Sequence, residues 1–153
     1  MRMLVLGAGL QGSACAFDLL QNADVQEVRI ADLRVDHLPS FLTPYVGGRL
    51  IPTKLDVCDR DAVLAQMRDC QVVMSAIPYY FNEALAALAV EGGAHFCDLG
   101  GNTEIVFNQK KLHDAAILAF GVDQLDLCVA DIVIDARPVF GDCGRGSVGT
   151  ANG

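Results

Sequence analysis

A chain of 153 residues, 52% apolar and 20% charged, is long enough for one domain with a true hydrophobic core. Its formal net charge of −8, with no lysine- or arginine-rich run, argues against a nucleic-acid partner, because such a surface repels a phosphate backbone. No apolar run is long enough to cross a bilayer, so no membrane partner is expected either.

The N-terminal segment only imitates a signal peptide: Arg2 precedes an apolar stretch, but Gly7, Gly9, Gln11 and Gly12 break it. The six cysteines contain no C-x-x-C pair and lack zinc-ligand spacing, so they read as reduced thiols in a cytoplasmic protein without a metal site.

Taken in chain order, strands and helices alternate. Residues 3–6 form a short apolar run ending in glycine, as suits a strand buried on both faces. Residues 10–20 predict a helix with Gly12, Cys15, Ala16, Leu19 and Leu20 on one face and Asn22 at its end. A second strand follows at 28–31, then a weak helical segment at 37–45 interrupted by Pro39 and Pro44. Residues 50–57 read as a third strand, and Asp59 caps a helix running to Met67. A fourth strand at 72–76 stops at Pro78. The alanine- and leucine-rich residues 82–90 form a helix ended by Gly92 and Gly93. A fifth strand covers 94–99. Leu112, Ala115, Ala116, Ala119 and Phe120 mark one face of a last helix, and residues 127–129 and 132–134 are candidates for a sixth strand. This alternation predicts an α/β fold: a doubly wound parallel sheet of the Rossmann type over residues 1–135, followed by an irregular tail at 136–153.

The chemistry concentrates at Gly7-Ala8-Gly9-Leu10-Gln11-Gly12. A G-x-G-x-x-G is weak by itself. Here it follows a predicted strand, opens a predicted helix and stands 20 residues before Asp32, which is the context a dinucleotide site requires. Gly7 permits the tight turn, Gly9 lets a pyrophosphate approach the backbone, and Gly12 lets the helix pack on the strand. The N–H groups around Leu10 and Gln11, with the helix dipole, favour the phosphate charge. Asp32 is placed to accept hydrogen bonds from the ribose and to repel a 2′-phosphate, which favours NAD. Arg34, just past the strand, leaves NADP as an alternative.

The usual strand order sets the crevice between strands one and four. Ser75, Ala76, Ile77 and Pro78 then stand beside the glycine loop, near the ribose and nicotinamide, and Asp56 and Val57 border the adenine. No catalytic group emerges. His95 reads as a core or edge histidine, Asp98 as a turn acid or a ligand contact, and no nucleophile–base or carboxylate pair forms.

Residues 3–12, Ala31-Asp32, Leu55-Asp56-Val57, residues 72–78 and Cys97-Asp98-Leu99-Gly100-Gly101 together resemble the saccharopine dehydrogenase family, with lysine 6-dehydrogenase-like members nearest. The resemblance spans residues 1–118. It implies an NAD(P)-dependent oxidoreductase acting on an amino acid or its imine, with the cofactor on the N-terminal domain. It also implies a second, substrate-binding domain, for which this chain has no room. The expectation is therefore a truncated, frame-disrupted or split enzyme, with a non-catalytic NAD-binding module as the alternative. A pseudo-domain serving only as an interaction surface is the third reading, counted against by the intact glycine loop and Asp32, and a homodimer in which one tail covers its neighbour's crevice is the counter-case to an inactive chain.

Overall fold

The computed structural model describes residues 1–120. The expected sixth strand and the tail at 136–153 lie outside the described residues. Five parallel strands, β1 (Arg2–Leu6), β2 (Glu27–Asp32), β3 (Leu50–Lys54), β4 (Val72–Ser75) and β5 (His95–Asp98), lie in the order β3-β2-β1-β4-β5. The chain builds outward from β1 to β3, returns across the sheet, and builds outward again on the other side. Helix α1 (Leu10–Gln21) joins β1 to β2, and α2 (Arg60–Arg68) carries the chain back from β3 to β4. Helix α3 (Asn82–Gly92) joins β4 to β5.

β1 is central, and its side chains alternate between two cores. Met3 and Val5 pack with Ala16, Leu19, Leu20, Val28, Ile30 and Leu50 on the α1 side. Leu4 and Leu6 pack with Val63, Met67, Val73, Leu85, Ala89 and Phe96 on the side of α2 and α3. Each fully buried aliphatic side chain contributes roughly 1.5–3 kcal/mol relative to exposure, which is why a continuous apolar strand settles in the middle of the sheet.

Helix boundaries follow local chemistry. The Asp59 carboxylate accepts the Ala62 N–H at 3.1 Å and caps α2. Gly93 ends α3 in the left-handed region at φ 72°, where an L side chain would be strained. The C-terminal end of α1 is held from a distance: the Arg49 guanidinium donates to the carbonyls of Leu20, Asn22 and Val25. That contact joins three carbonyl groups at and just past the helix end to the residue before β3, and nothing in the local sequence announces it.

Three expectations need correction. The weak helix at 37–45 is a 3-10 turn over Ser40–Tyr45 with Pro44 inside it, since proline removes a donor that an α-helix needs. β3 ends at Lys54, three residues earlier than predicted, because the Asp56 carboxylate accepts the Cys58 N–H at 2.9 Å and turns the chain. A helix α4 (Thr103–Lys110) precedes α5 (His113–Phe120), where only the second was expected. The Asn102 side chain caps α4 by accepting the Ile105 N–H at 3.1 Å. In α5 the predicted face is only partly covered among the described residues: Ala116 is buried, whereas Ala115 and Ala119 are exposed.

Candidate dinucleotide site

The sheet reverses its direction of growth between β1 and β4, and in open α/β sheets ligands bind outside the strand ends at such a switch point. The glycine loop leaves β1 at this point. Gly7 has φ 101°, and a Cβ there would stand 2.8 Å from the Ala76 carbonyl oxygen and 2.9 Å from Ile77. Its N–H donates to the Ala31 carbonyl at 2.7 Å. Gly12, in the first turn of α1, is tighter still, since a Cβ would fall 1.9 Å from the Gly7 carbonyl oxygen. Both glycines are therefore demanded by the fold.

Gly9 differs. Its φ is −70°, an ordinary value, and a Cβ built there meets nothing within 4 Å. No protein atom explains a glycine at that position. Gly9 is the N-cap of α1, and its carbonyl accepts the Ser13 N–H at 2.9 Å. Leu10 and Gln11 open the helix on the exposed side, and Leu10 is 88% exposed. The first N–H groups of a helix have no intrahelical partner and, with the helix dipole, favour an anion. The buried Ser13 hydroxyl steadies the loop by donating to the Ala8 carbonyl at 3.0 Å.

Asp32 ends β2 opposite the loop. One carboxylate oxygen accepts the Ala8 N–H at 2.8 Å and the other accepts the Arg34 N–H at 3.1 Å. The side chain thus clamps the glycine loop as well as facing the crevice, a role that the sequence did not reveal. Each such charge-assisted bond contributes on the order of 1.5–3 kcal/mol.

Next to Asp32 lies a cavity of about 210 Å³ with a mostly apolar wall that includes Leu33, Asp56, Val57, Ile77, Pro78 and Phe81. Asp56 and Val57, expected at the adenine, are gathered here with Ile77 and Pro78, expected near the ribose and nicotinamide. Ala76 sits behind them against Gly7 and Gly12, with its N–H on the Leu6 carbonyl at 2.8 Å. Leu33 and Phe81 were missed, because an apolar residue beside a strand end carries no distinguishing pattern.

Ser75 departs from expectation. It is fully buried, and its hydroxyl donates to the Asn82 side-chain oxygen at 2.7 Å, so it turns inward from the crevice. Asp98 is likewise committed to structure: one oxygen accepts the Gly100 N–H at 2.7 Å and the other accepts the Gln109 amide at 2.8 Å. Asn82 and Gln109, both buried, complete a polar network that ties the ends of β4 and β5 to α3 and α4. Neither residue stood out in the sequence, where each is one polar residue in a helix.

Among the described residues Cys15, Cys58, Cys70 and Cys97 are free thiols. Burial pushes Cys97 up to about 12 and Cys70 to about 11, which leaves both protonated and unreactive near neutrality. His95 stacks on Phe120 with ring centroids 4.8 Å apart, and burial lowers its pKa. No helix among the described residues is long and apolar enough to cross a membrane.

Strand order, glycine loop and strand-end carboxylate define a dinucleotide-binding Rossmann domain. Residues 3–120 match the family model described as the saccharopine dehydrogenase NADP binding domain, and the chain belongs to that family. The fold is similar to that of apo saccharopine dehydrogenase (L-Glu forming) from Saccharomyces cerevisiae, at 24% identity and a TM-score of 0.62. That match covers 77% of this chain and 25% of the yeast chain. The PbgP3 protein from Burkholderia pseudomallei is similar at 20% identity and TM-score 0.53, over 63% of this chain and 34% of that one. Myo-inositol 2-dehydrogenase from Lactobacillus plantarum is similar at 17% identity and TM-score 0.53, over 76% and 33% of the two chains. The chain thus spans from a quarter to about a third of the length of these proteins.

Proposed function

We propose that this domain serves a cytoplasmic oxidoreductase acting on amino acids or their imines, with NAD favoured over NADP. The observation that carries the cofactor site is Gly9: the protein itself makes no use of a missing side chain there, so the open space is kept for a ligand. In this reading the N–H groups of Leu10 and Gln11 hold the pyrophosphate, Gly7 and Gly12 shape the loop, and Asp32 takes the adenosine ribose. Asp56, Val57, Ile77 and Pro78 enclose the adenine side, while Ala76 backs the glycine loop. Held there, the cofactor would supply a hydride acceptor for oxidation of an amine-bearing carbon to an imine. The amino-acid substrate is supported by the family to which the chain belongs.

Substrate-side chemistry is assigned to groups outside residues 1–120, from a separate domain or from a partner copy in a homodimer. What favours this is the state of the local polar groups: Ser75 and Asp98 are already spent on internal hydrogen bonds. Positioning a substrate against the nicotinamide accounts for roughly 7–11 kcal/mol of a barrier, and it needs a second wall over the crevice.

The test is a titration of NADH monitored by cofactor fluorescence, in wild type and Gly9→Val. We expect saturable binding by wild type and none by Gly9→Val up to about 1 mM, an affinity range near −4 kcal/mol. The circular dichroism of the two proteins should coincide. A folded wild type that binds no NADH, or a Gly9→Val protein that binds as well as wild type, overturns the site.

A further inference from the structure

The two faces of β4 and β5 are not covered alike. Towards α2 and α3, Val73 and Phe96 are buried. Towards α1, the side chains of Val72, Met74, His95 and Cys97 are only half-buried, although Met3 and Val5, paired with Val72 and Met74 across the sheet, are buried. The difference lies in the layer above them. Helix α1 packs over β1 and β2, whereas α4 and α5 pack against α3 on the opposite side. A parallel sheet is ordinarily covered on both faces, so a strip of four half-open side chains marks a place where something else packs. The buried Nδ1 atom of His95 points the same way, since it has no hydrogen-bond partner among the described residues.

We propose that residues 122–134 of this same chain lie across the strip, on the α1 side of β4 and β5. Three observations select that occupant. First, the chain arrives there. Helix α5 packs against α3, yet its last residue, Phe120, stacks on the His95 ring with centroids 4.8 Å apart, so the chain has rounded the edge of β5. From His95 the strip runs about 7 Å along β5 to Cys97 and about 4.8 Å across to Met74, a path that roughly three or four residues span. Second, the sequence that follows suits such a strip. Leu125, Leu127 and Val129, then Ile132 and Ile134, stand at alternating positions, with Asp126, Asp131 and Asp135 among them for the solvent side. Third, the strip is too small for another molecule. A stable interface takes about 800 Å² from each partner, which four half-buried side chains do not supply. This placement differs from that of a sixth strand at the edge of β5, which would widen the sheet and leave the face of β4 and β5 as open as before. It is independent of the dinucleotide reading.

Met74 is a native probe for the cover. The full 153-residue chain is treated with hydrogen peroxide, and oxidation of each methionine is followed by mass spectrometry. Met1, half-buried like Met74, is the open reference, and the buried Met3 and Met67 report on the fold. We expect Met74 in wild type to oxidise about ten-fold slower than Met1, close to the rates of Met3 and Met67. In the double variant Val129→Asp/Ile132→Asp, Met74 should speed up about five-fold or more while Met67 stays slow. If the aspartates speed up Met67 as well, the milder pair Val129→Ala/Ile132→Ala decides by the same ratio of Met74 to Met67. Wild-type Met74 oxidised as fast as Met1 overturns the proposal. So does a protected Met74 whose rate is unchanged in both double variants. Protection that is lost on about hundred-fold dilution also overturns it, and assigns the strip to a second copy.

Discussion

The two banks of the crevice are built on different principles. On the β1–β2 bank the backbone does most of the work: glycines at 7 and 12 let main-chain atoms meet at distances a Cβ would forbid, and Asp32 holds the loop through N–H groups. That bank borders the cavity beside Asp32 and leaves Gly9 open. On the β4–β5 bank side chains do the work: Ser75, Asn82, Gln109 and Asp98 form a buried network in which the polar groups serve one another. The contrast teaches that polarity at a strand end is not evidence of a ligand. A polar group satisfied inside the fold has little left to offer a substrate, whereas a backbone left uncovered is available to one.

The comparison breaks most visibly at the glycines. Gly12→Ala should cost about 3–5 kcal/mol, because its methyl group would overlap the Gly7 carbonyl and the loop and helix must move apart. Gly9→Ala should change stability by no more than about 0.5 kcal/mol, since the new Cβ meets open space at an ordinary φ. Urea unfolding of the two variants side by side measures both. Equal destabilisation would show that the loop does not divide into a glycine kept for the fold and one kept for a ligand.

A smaller effect sharpens the other bank. Gln109→Leu removes the amide that donates to Asp98 and keeps the volume, so it should cost about 1–3 kcal/mol in urea unfolding. NADH affinity should remain within about two-fold, because a network closed on itself has no direct part in the glycine loop. A parallel loss of affinity and stability would show that the banks are mechanically joined.

The smallest effect is in pH dependence. Burial lowers the His95 pKa below its ordinary 6.5, so the unfolded chain takes up the proton first as pH falls. The contribution of this residue to stability is complete above that value and declines as pH drops below it. His95→Phe removes the ionisable group and keeps a ring to stack on Phe120. The fall in Tm between about pH 8 and pH 5.5 should therefore be smaller in the variant than in wild type. An identical fall in both would mean that His95 gains its proton in the folded chain as easily as in the unfolded one.

Much of this architecture was legible in the sequence because it depends on short-range rules. The apolar run of residues 3–6, the glycines at 7, 9 and 12 and Asp32 at the next strand end announce β1, α1, β2 and the fold class that matches the family. Pro78 and the glycines at 92 and 93 mark ends for the same reason: each constrains the backbone of its own neighbours. The sequence was less informative where a residue's role depends on a distant partner. Asp32 as a clamp on Ala8, Arg49 as a cap on the end of α1, and Gln109 as the partner of Asp98 pair residues 24, 29 and 11 positions apart, respectively. Ser75 and Gly9 show the limit most clearly. Both looked like site residues in the sequence, and only tertiary packing decided that the serine is consumed by Asn82 while the glycine stands against open space. Local sequence sets which backbone conformations are accessible. Whether a polar group faces a ligand or another part of the chain is decided by what packs against it, and that is a property of the assembled sheet and helices.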